Sequence, residues 1–147
     1  MSKAAEDREE GAIVHTAAIV GFHAYVLSQG YRPEPGGTRQ TPGLPDLYLM
    51  HARDPITLWW ECKTAETLRE HHALAAFAHP ELAWPKWKVK DWRRARAQAD
   101  FRSRCHAAGG RCGIGSHKDF LEELIALGYA EHVGTGVTLR AKRLLSS

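Results

Sequence analysis

The sequence predicts an α/β domain in which a mixed β-sheet is flanked by helices. Three observations predict this class. Two apolar runs, 46–50 and 56–63, have the composition of paired strands, a long helical segment from about Val89 to Ala108 follows them, and the short strand RCGIG then leads into another helix. Strands that alternate with helices across glycine-containing joints favour a mixed sheet with helices packed on it.

The composition bounds the class of protein. A chain of 147 residues, 44% of them hydrophobic and 25% charged, predicts one globular domain over residues 1–147. The formal net charge of +3 permits an acidic partner such as nucleic acid without requiring one. Its three cysteines lack metal-ligand spacing, and no stretch has the length of a membrane span or the pattern of a signal peptide. We therefore expect a soluble protein of the bacterial or viral-host cytosol, without a membrane partner.

The N-terminal segment predicts a helix from about Ala5 to Gln29, capped by Gly30. Its apolar residues recur in steps of four and three, at Ile13, Ala17, Val20, Ala24 and Leu27. The same stripe extended backwards reaches Glu10 and then Glu6. We expect these acids to continue the buried face of the helix.

Residues 32–45, RPEPGGTRQTPGLP, predict a loop because they are rich in proline and glycine and show no apolar periodicity. A loop of this length in a compact domain indicates a binding role. Its two arginines, Arg32 and Arg39, would then be available to a partner.

The next segment predicts a β-hairpin, with strands at 46–50 and 56–63 and a turn through Asp54 and Pro55. Strand residues alternate between faces. Glu61 and Lys63 therefore share one face, while Trp60 and Cys62 share the other. Asp46 begins the neighbouring strand directly after a proline, so both acids are expected at strand ends.

Two carboxylates that converge at neighbouring strand ends repel one another, and a divalent cation resolves that conflict. Hard oxygen ligands suit Mg²⁺ or Mn²⁺. We predict Asp46 and Glu61 as metal ligands, with the backbone carbonyl of Cys62 as a further oxygen. Lys63 would orient a water molecule or neutralise charge on a phosphate. This combination predicts a phosphodiester hydrolase.

The segment from Lys86 to Arg104 contains eight lysines and arginines against two aspartates. Trp84, Trp87 and Trp92 are interleaved with these charges, and aromatic rings can stack on unpaired bases. A solvated helix face with core tryptophans is the alternative. We predict that the basic segment and the loop arginines hold the DNA backbone, through Arg32, Arg39, Lys86, Lys88, Lys90, Arg93, Arg94 and Arg96.

Beyond the basic segment, Ser116 and Asp119 predict a capped helix that ends at Gly128. The glycines at 134 and 136 predict a terminal hairpin. Histidines 71, 72 and 79 do not predict a zinc site, because cysteines or acids at suitable spacing are missing.

Four sequence features together resemble the PD-(D/E)xK nuclease superfamily, and within it the VRR-NUC type of domain. These are GLPD, ending at Asp46, WWECK, containing Glu61 and Lys63, the glutamine of AQADF, Gln98, and the strand in RCGIGS. The resemblance implies a restriction-endonuclease-like αβββαβ core and a metal-dependent DNA endonuclease. It implies that Asp46 and Glu61 bind Mg²⁺ or Mn²⁺, that Lys63 assists catalysis and that Gln98 supports the site.

The family often adds a glutamate from its first helix, and Glu10 is the position that matches, ahead of Glu6 and Glu9. Free-standing members are frequently viral, including phage proteins, and act on branched or flapped DNA as homodimers. One departure is an insert at about residues 64–90 before the glutamine helix. We expect this insert to shape access of the substrate.

Two other functions remain open. A catalytically inactive nucleic-acid-binding module would keep the same fold without cleavage. The end of the chain, SHKDFLEELIALGYAEHVGTGVTLRAKR, also has the pattern of a helix followed by a β-wing, as in winged-helix DNA-binding regulators. That alternative leaves Asp46, Glu61 and Lys63 without a role.

Overall fold

A computed structural model of the chain describes residues 3–27, 42–80 and 82–143. The predicted loop contacts Arg32 and Arg39 lie outside the described residues. The helices and strands, in chain order, are α1 Lys3–Ile19, β1 Phe22–Val26, β2 Leu47–His51, β3 Thr57–Cys62, α2 Ala65–Ala75, α3 Lys86–Ala107, β4 Cys112–Gly115, α4 His117–Leu127, β5 Ala130–Val133 and β6 Gly136–Leu139.

The main sheet has the strand order β1-β2-β3-β4, in which the first three strands are antiparallel and β4 runs parallel to β3. Helices cover both faces. Trp59 packs edge-on against Phe101 of α3, whereas the next residue, Trp60, packs against Phe120 of α4 beside α1. The prediction of a mixed α/β sheet flanked by helices is therefore confirmed, as is the β2–β3 hairpin.

The prediction of a single helix from Ala5 to Gln29 was wrong in its second half. The helix α1 ends at Ile19, and residues 22–26 form the edge strand β1. Gly21 allows the reversal because its φ is +97° and a side chain there would meet the ring of His51. The segment FHAYV alternates in burial with a period of two, and its aromatic and β-branched residues favour a strand.

The core lies between the sheet and the helices α1 and α4. Trp60 is buried and its indole donates a hydrogen bond to the carbonyl of Gly115. A Cβ at Gly113, on the adjacent strand, would overlap the Trp60 ring. Strand β4 is thereby held close to β3, and the ends of both strands are fixed relative to α4.

The last third of the described chain follows the predicted pattern. Ser116 and Asp119 form a reciprocal capping box at the start of α4, and Gly128 ends the helix in the left-handed conformation. Strands β5 and β6 form a separate two-stranded antiparallel sheet. The predicted terminal helix and hairpin are confirmed.

The predicted insert forms helix α2 and the connection to α3. Helix α3 begins one turn before the predicted Val89. The two helices pack together, and Arg96 joins them by donating a 2.7 Å hydrogen bond to the carbonyl of Ala75. Among the described residues, no helix is long and apolar enough to cross a membrane.

Candidate active site

Asp46 and Glu61 lie opposite each other at the same end of the β2–β3 pair. Leu47 pairs with Trp60 in the antiparallel register, so the two acids occupy the next pair of positions. Oδ2 of Asp46 accepts a 2.9 Å hydrogen bond from the backbone N–H of Cys62. This bond fixes the Asp46 carboxylate beside the end of β3, and the structure thus brings the two predicted acids together.

Close packing against helix α3 explains why the segment GLPD begins with glycine. Gly43 has a φ of +83°, and a Cβ on it would overlap the backbone carbonyl of Ala97 in α3. Only glycine combines this conformation with so close an approach at low cost. The turn that leads to Asp46 is therefore packed directly against the residue that precedes Gln98.

Glu61 is buried, with 4% of its surface exposed. Its Oε1 accepts a 2.6 Å hydrogen bond from Nε2 of Gln98, which is also buried. Its Oε2 is buried, and no N–H or O–H group of the described residues donates to it. Burial raises the pKa of Glu61 well above its usual value, repulsion from Asp46 and a hydrogen-bonding contact with the Asp46 carboxyl raise it further, and Lys63 opposes the rise.

Lys63 directly follows β3 and is half-buried. Its backbone N–H donates a 3.0 Å hydrogen bond to the carbonyl of Gly115, which continues the pairing of β3 with β4. Its positive charge lowers the pKa of Glu61, so Lys63 acts electrostatically on that carboxylate. The lysine therefore belongs to the same cluster as the two acids.

Helix α1 adds carboxylates to this end of the sheet. A small cleft of about 40 Å³ is lined by Lys3, Glu6, Asp7, Glu10, Asp46 and Cys62. Glu6 contributes to the raised pKa of Glu61, and Glu10 contributes to the raised pKa of the Cys62 thiol, whose main cause is burial. Glu10 and Glu6, which continue the apolar stripe of the N-terminal helix, thus both lie beside Asp46.

The acids at this end of the sheet fit a hard divalent cation that takes few protein ligands. Among the described residues, no group of three or more His, Cys, Asp or Glu side chains could hold a metal ion. Magnesium typically takes one or two protein carboxylates and fills its remaining positions with water and phosphate oxygens. The facing carboxylates of Asp46 and Glu61 fit that requirement, and the buried Oε2 of Glu61 lacks a donor.

The basic residues of α3 divide into two groups. Lys88 lies 4.3 Å over the ring of Trp84, and Arg96 binds both Ala75 and Asp100. These cations contribute to the joint between α2 and α3, as does Trp92, which donates a 3.0 Å hydrogen bond to the carbonyl of Phe77. The remaining predicted contacts on this helix are exposed: Lys86, Lys90, Arg93 and Arg94.

Two residues beside the site were missed by the sequence analysis. His71 of α2 is 4% exposed, and its Nε2 lies 2.7 Å from a guanidinium nitrogen of Arg102 in α3. Arg102 follows Gln98 by four positions, so helical spacing alone places the two on one face. No local pattern indicates His71, because its burial depends on how α2 packs.

Comparison of the chain with protein-family models, with curated proteins and with solved structures finds no match. The geometry of the site and the resemblance in the sequence are therefore what indicate a function.

Proposed function

We propose that the chain is a metal-dependent DNA endonuclease that hydrolyses phosphodiester bonds with Mg²⁺ or Mn²⁺. One observation carries the proposal: Asp46 and Glu61 face each other at adjacent strand ends, and Glu61 is held by Gln98 with its second oxygen buried and without a donor. Burying Glu61 beside the half-buried Asp46 is costly unless a cation compensates for the charge of the two acids. A catalytic site explains that cost better than a structural role does.

The order of elements supports the resemblance to the PD-(D/E)xK nucleases. The chain runs α1, β1, β2, β3, then α2, α3 and β4. Without α2 this is the αβββαβ order that the resemblance implies. The acids, the lysine and the glutamine fall at the expected elements, and α2 is the insert.

The residues have distinct roles in this proposal. Asp46 and Glu61 would hold the cation, with the Cys62 carbonyl as a further oxygen donor. Glu10 lines the same cleft but is not placed as a third carboxylate ligand. When bound, the cation supplies Lewis acidity that polarises a phosphoryl oxygen and lowers the pKa of a coordinated water. Lys63 stabilises negative charge that develops on the phosphate. Gln98 keeps the Glu61 carboxylate in one orientation.

The exposed face of α3 offers a path for the DNA. Trp87 is 66% exposed, and it shares a helix face with Lys90 and Arg94. The same face continues to Gln98, eleven residues and about 16 Å along the helix from Trp87. The two cations suit phosphates and the indole suits an unpaired base, so flapped or branched DNA is the proposed substrate.

Cleavage of defined DNA tests the proposal. Purified protein is incubated with linear, flapped and four-way-junction DNA in Mg²⁺, Mn²⁺ or EDTA, beside Asp46→Ala and Lys63→Ala. The exposed Lys118→Ala variant is the matched control. We expect cleavage that requires the metal and is lost in both site variants but not in the control.

Either of two results would contradict the proposed nuclease activity of this site. Cleavage that survives both site substitutions, or chelation, would exclude this site. DNA binding without cleavage of any substrate would identify a catalytically inactive module with the same fold. Homodimer formation, which the resemblance implies, is tested on the same samples by light scattering with and without DNA.

A further inference from the structure

A chain of buried polar groups continues from Glu61 to the insert helix α2. Glu61 binds Gln98, and beyond Gln98 lie His71 of α2 and Arg102 of α3. Nδ1 of His71 and Oε1 of Gln98 are both buried, and neither has a partner of regular geometry within the described residues. Even so, a hydrogen-bonding interaction with the Gln98 side chain acts to raise the pKa of His71. The two side chains are therefore adjacent.

The direction of each hydrogen bond in this chain follows from the chemistry of the groups. A guanidinium only donates, so Nε2 of His71 must accept from Arg102 and carries no proton. A neutral imidazole then carries its proton on Nδ1. Burial, followed by the charge of Arg102, lowers the pKa of His71 to about 3, so the ring is neutral at physiological pH.

The amide of Gln98 must also match a donor to an acceptor at each of its two neighbours, Glu61 and His71. Its Nε2 donates to Oε1 of Glu61, which leaves Oε1 of Gln98 as an acceptor turned away from that carboxylate. The proton on Nδ1 of His71 is the donor that this acceptor requires. The reversed amide would place an N–H group against the Nδ1 proton and an oxygen against the Glu61 carboxylate, so one orientation alone satisfies both neighbours.

We propose that His71 is a positioning residue that fixes the amide orientation of Gln98 and thereby holds Glu61 for catalysis, with Arg102 selecting the tautomer of the imidazole. The inference rests on the proposed function for the catalytic consequence only. It gives the insert a role in the site: α2 supplies a buried side chain behind Gln98. Arg102 and His71 act through Gln98 and are not placed on the substrate.

Two substitutions test separately the role of Nδ1 as a donor and the role of Nε2 as an acceptor. His71→Asn keeps an amide donor near the position of Nδ1, and His71→Gln keeps an amide oxygen near the position of Nε2 but removes the donor. The exposed His79→Asn is the control. We expect His71→Gln to lower kcat about tenfold or more with KM for DNA unchanged, and His71→Asn to stay within about threefold of the wild type.

An equal loss of kcat in both His71 variants, or no loss in His71→Gln, would overturn the positioning role. Thermal unfolding of each variant shows whether a loss of kcat accompanies a loss of folded protein. Because Asn and Gln differ in which partner they retain, a merely structural role of the imidazole predicts no such ordering.

The tautomer itself is measured in metal-free protein without DNA. Long-range ¹H–¹⁵N spectra of the full chain distinguish a protonated Nδ1 from a protonated Nε2. We expect His71 to be the Nδ1–H tautomer from pH 5 to pH 8, with its Nδ1 resonance shifted by Gln98→Leu but not by His79→Asn. An Nε2–H tautomer or an imidazolium would overturn the proposal. This result is independent of whether the protein cleaves DNA.

Discussion

The side-chain amide of Gln98 donates a 2.6 Å hydrogen bond to the carboxylate of Glu61, from helix α3 to strand β3. The two residues are 37 positions apart in the sequence. Both are buried, so the bond is shielded from water and its loss cannot be made good by solvent. This contact fixes the relation between the basic helix and the acids at the strand ends.

Removing the amide should therefore cost both stability and activity. In Gln98→Leu, Oε1 of Glu61 loses its donor while remaining buried, which should lower the free energy of unfolding by about 1–3 kcal/mol. We expect kcat for DNA cleavage to fall as well, because the carboxylate is no longer held in one orientation. Urea denaturation and single-turnover cleavage measure the two effects. The exposed Arg93→Leu on the same helix should change stability by less than about 0.5 kcal/mol.

Removing one of the two facing acids should stabilise the metal-free protein. In Asp46→Asn the amide oxygen still accepts the Cys62 N–H bond, but repulsion with buried Glu61 disappears. We expect the Tm in EDTA at pH 7.5 to rise, by about 2–4 °C for each kcal/mol gained. Added Mg²⁺ should raise the Tm of the wild type more than that of the variant.

The control for this experiment is Asp91→Asn, an exposed acid on α3 whose substitution should leave the Tm unchanged. A lower Tm for Asp46→Asn than for the wild type in EDTA would show that the carboxylate stabilises the fold. In that case the pairing of the two acids would be explained by stability, without a bound cation.

The glycine before Asp46 offers a test of how the site is assembled. Gly43→Ala places a Cβ against the Ala97 carbonyl at a positive φ. We expect it to lower the free energy of unfolding by more than about 1 kcal/mol and to reduce cleavage. Gly11→Ala is the matched control, since a Cβ there meets no atom within 4 Å. In the middle of α1, it should stabilise the protein by about 0.5–1 kcal/mol.

The sequence predicted the parts of the fold that depend on local pattern. Strand alternation placed Trp60 in the core, and the capping box at Ser116 located α4. Edge strand β1 was missed because Ala24 fits a helical stripe and a strand alternation equally well, and the break at Gly21 depends on contact with His51. His71 was missed for the same kind of reason, since its burial is set by tertiary packing.

The buried neutral imidazole of His71 should make stability depend on pH. Burial, then the charges of Arg102, Lys63 and His72, lower its pKa in the folded protein to about 3 from 6.5, and only the Gln98 interaction opposes this. Below pH 6.5 the unfolded state therefore binds a proton that the folded state does not. The contribution of His71 is full above pH 6.5 and is lost as the pH falls towards 3.

Urea denaturation at pH 7.5 and pH 5.0 measures this contribution. We expect the wild type to lose about 1 kcal/mol more between the two pH values than His71→Asn, after allowance for partial solvent screening. The exposed His79→Asn should behave as the wild type does. Equal pH dependence in the wild type and in His71→Asn would show that the imidazole is protonated in the folded protein.

The exposed face of α3 should determine how salt affects DNA binding. Lys90 and Arg94 are exposed on the face that leads to Gln98, and each phosphate contact to a single strand contributes about 0.7 to the slope of log K against log salt. The double substitution Lys90→Ala and Arg94→Ala should therefore reduce that slope by about 1.4. Fluorescence anisotropy with a labelled single strand at several salt concentrations measures it.

The same titration separates charge from stacking. Trp87→Ala should weaken binding by about 1–3 kcal/mol if one base stacks on the exposed indole, and it should leave the salt slope unchanged because no cation is removed. The control is the pair Lys118→Ala and Lys142→Ala, two exposed lysines outside α3. A slope that changes as much in this control as in the α3 variant would assign the affinity to net charge, and α3 would lose its role as the path to the site.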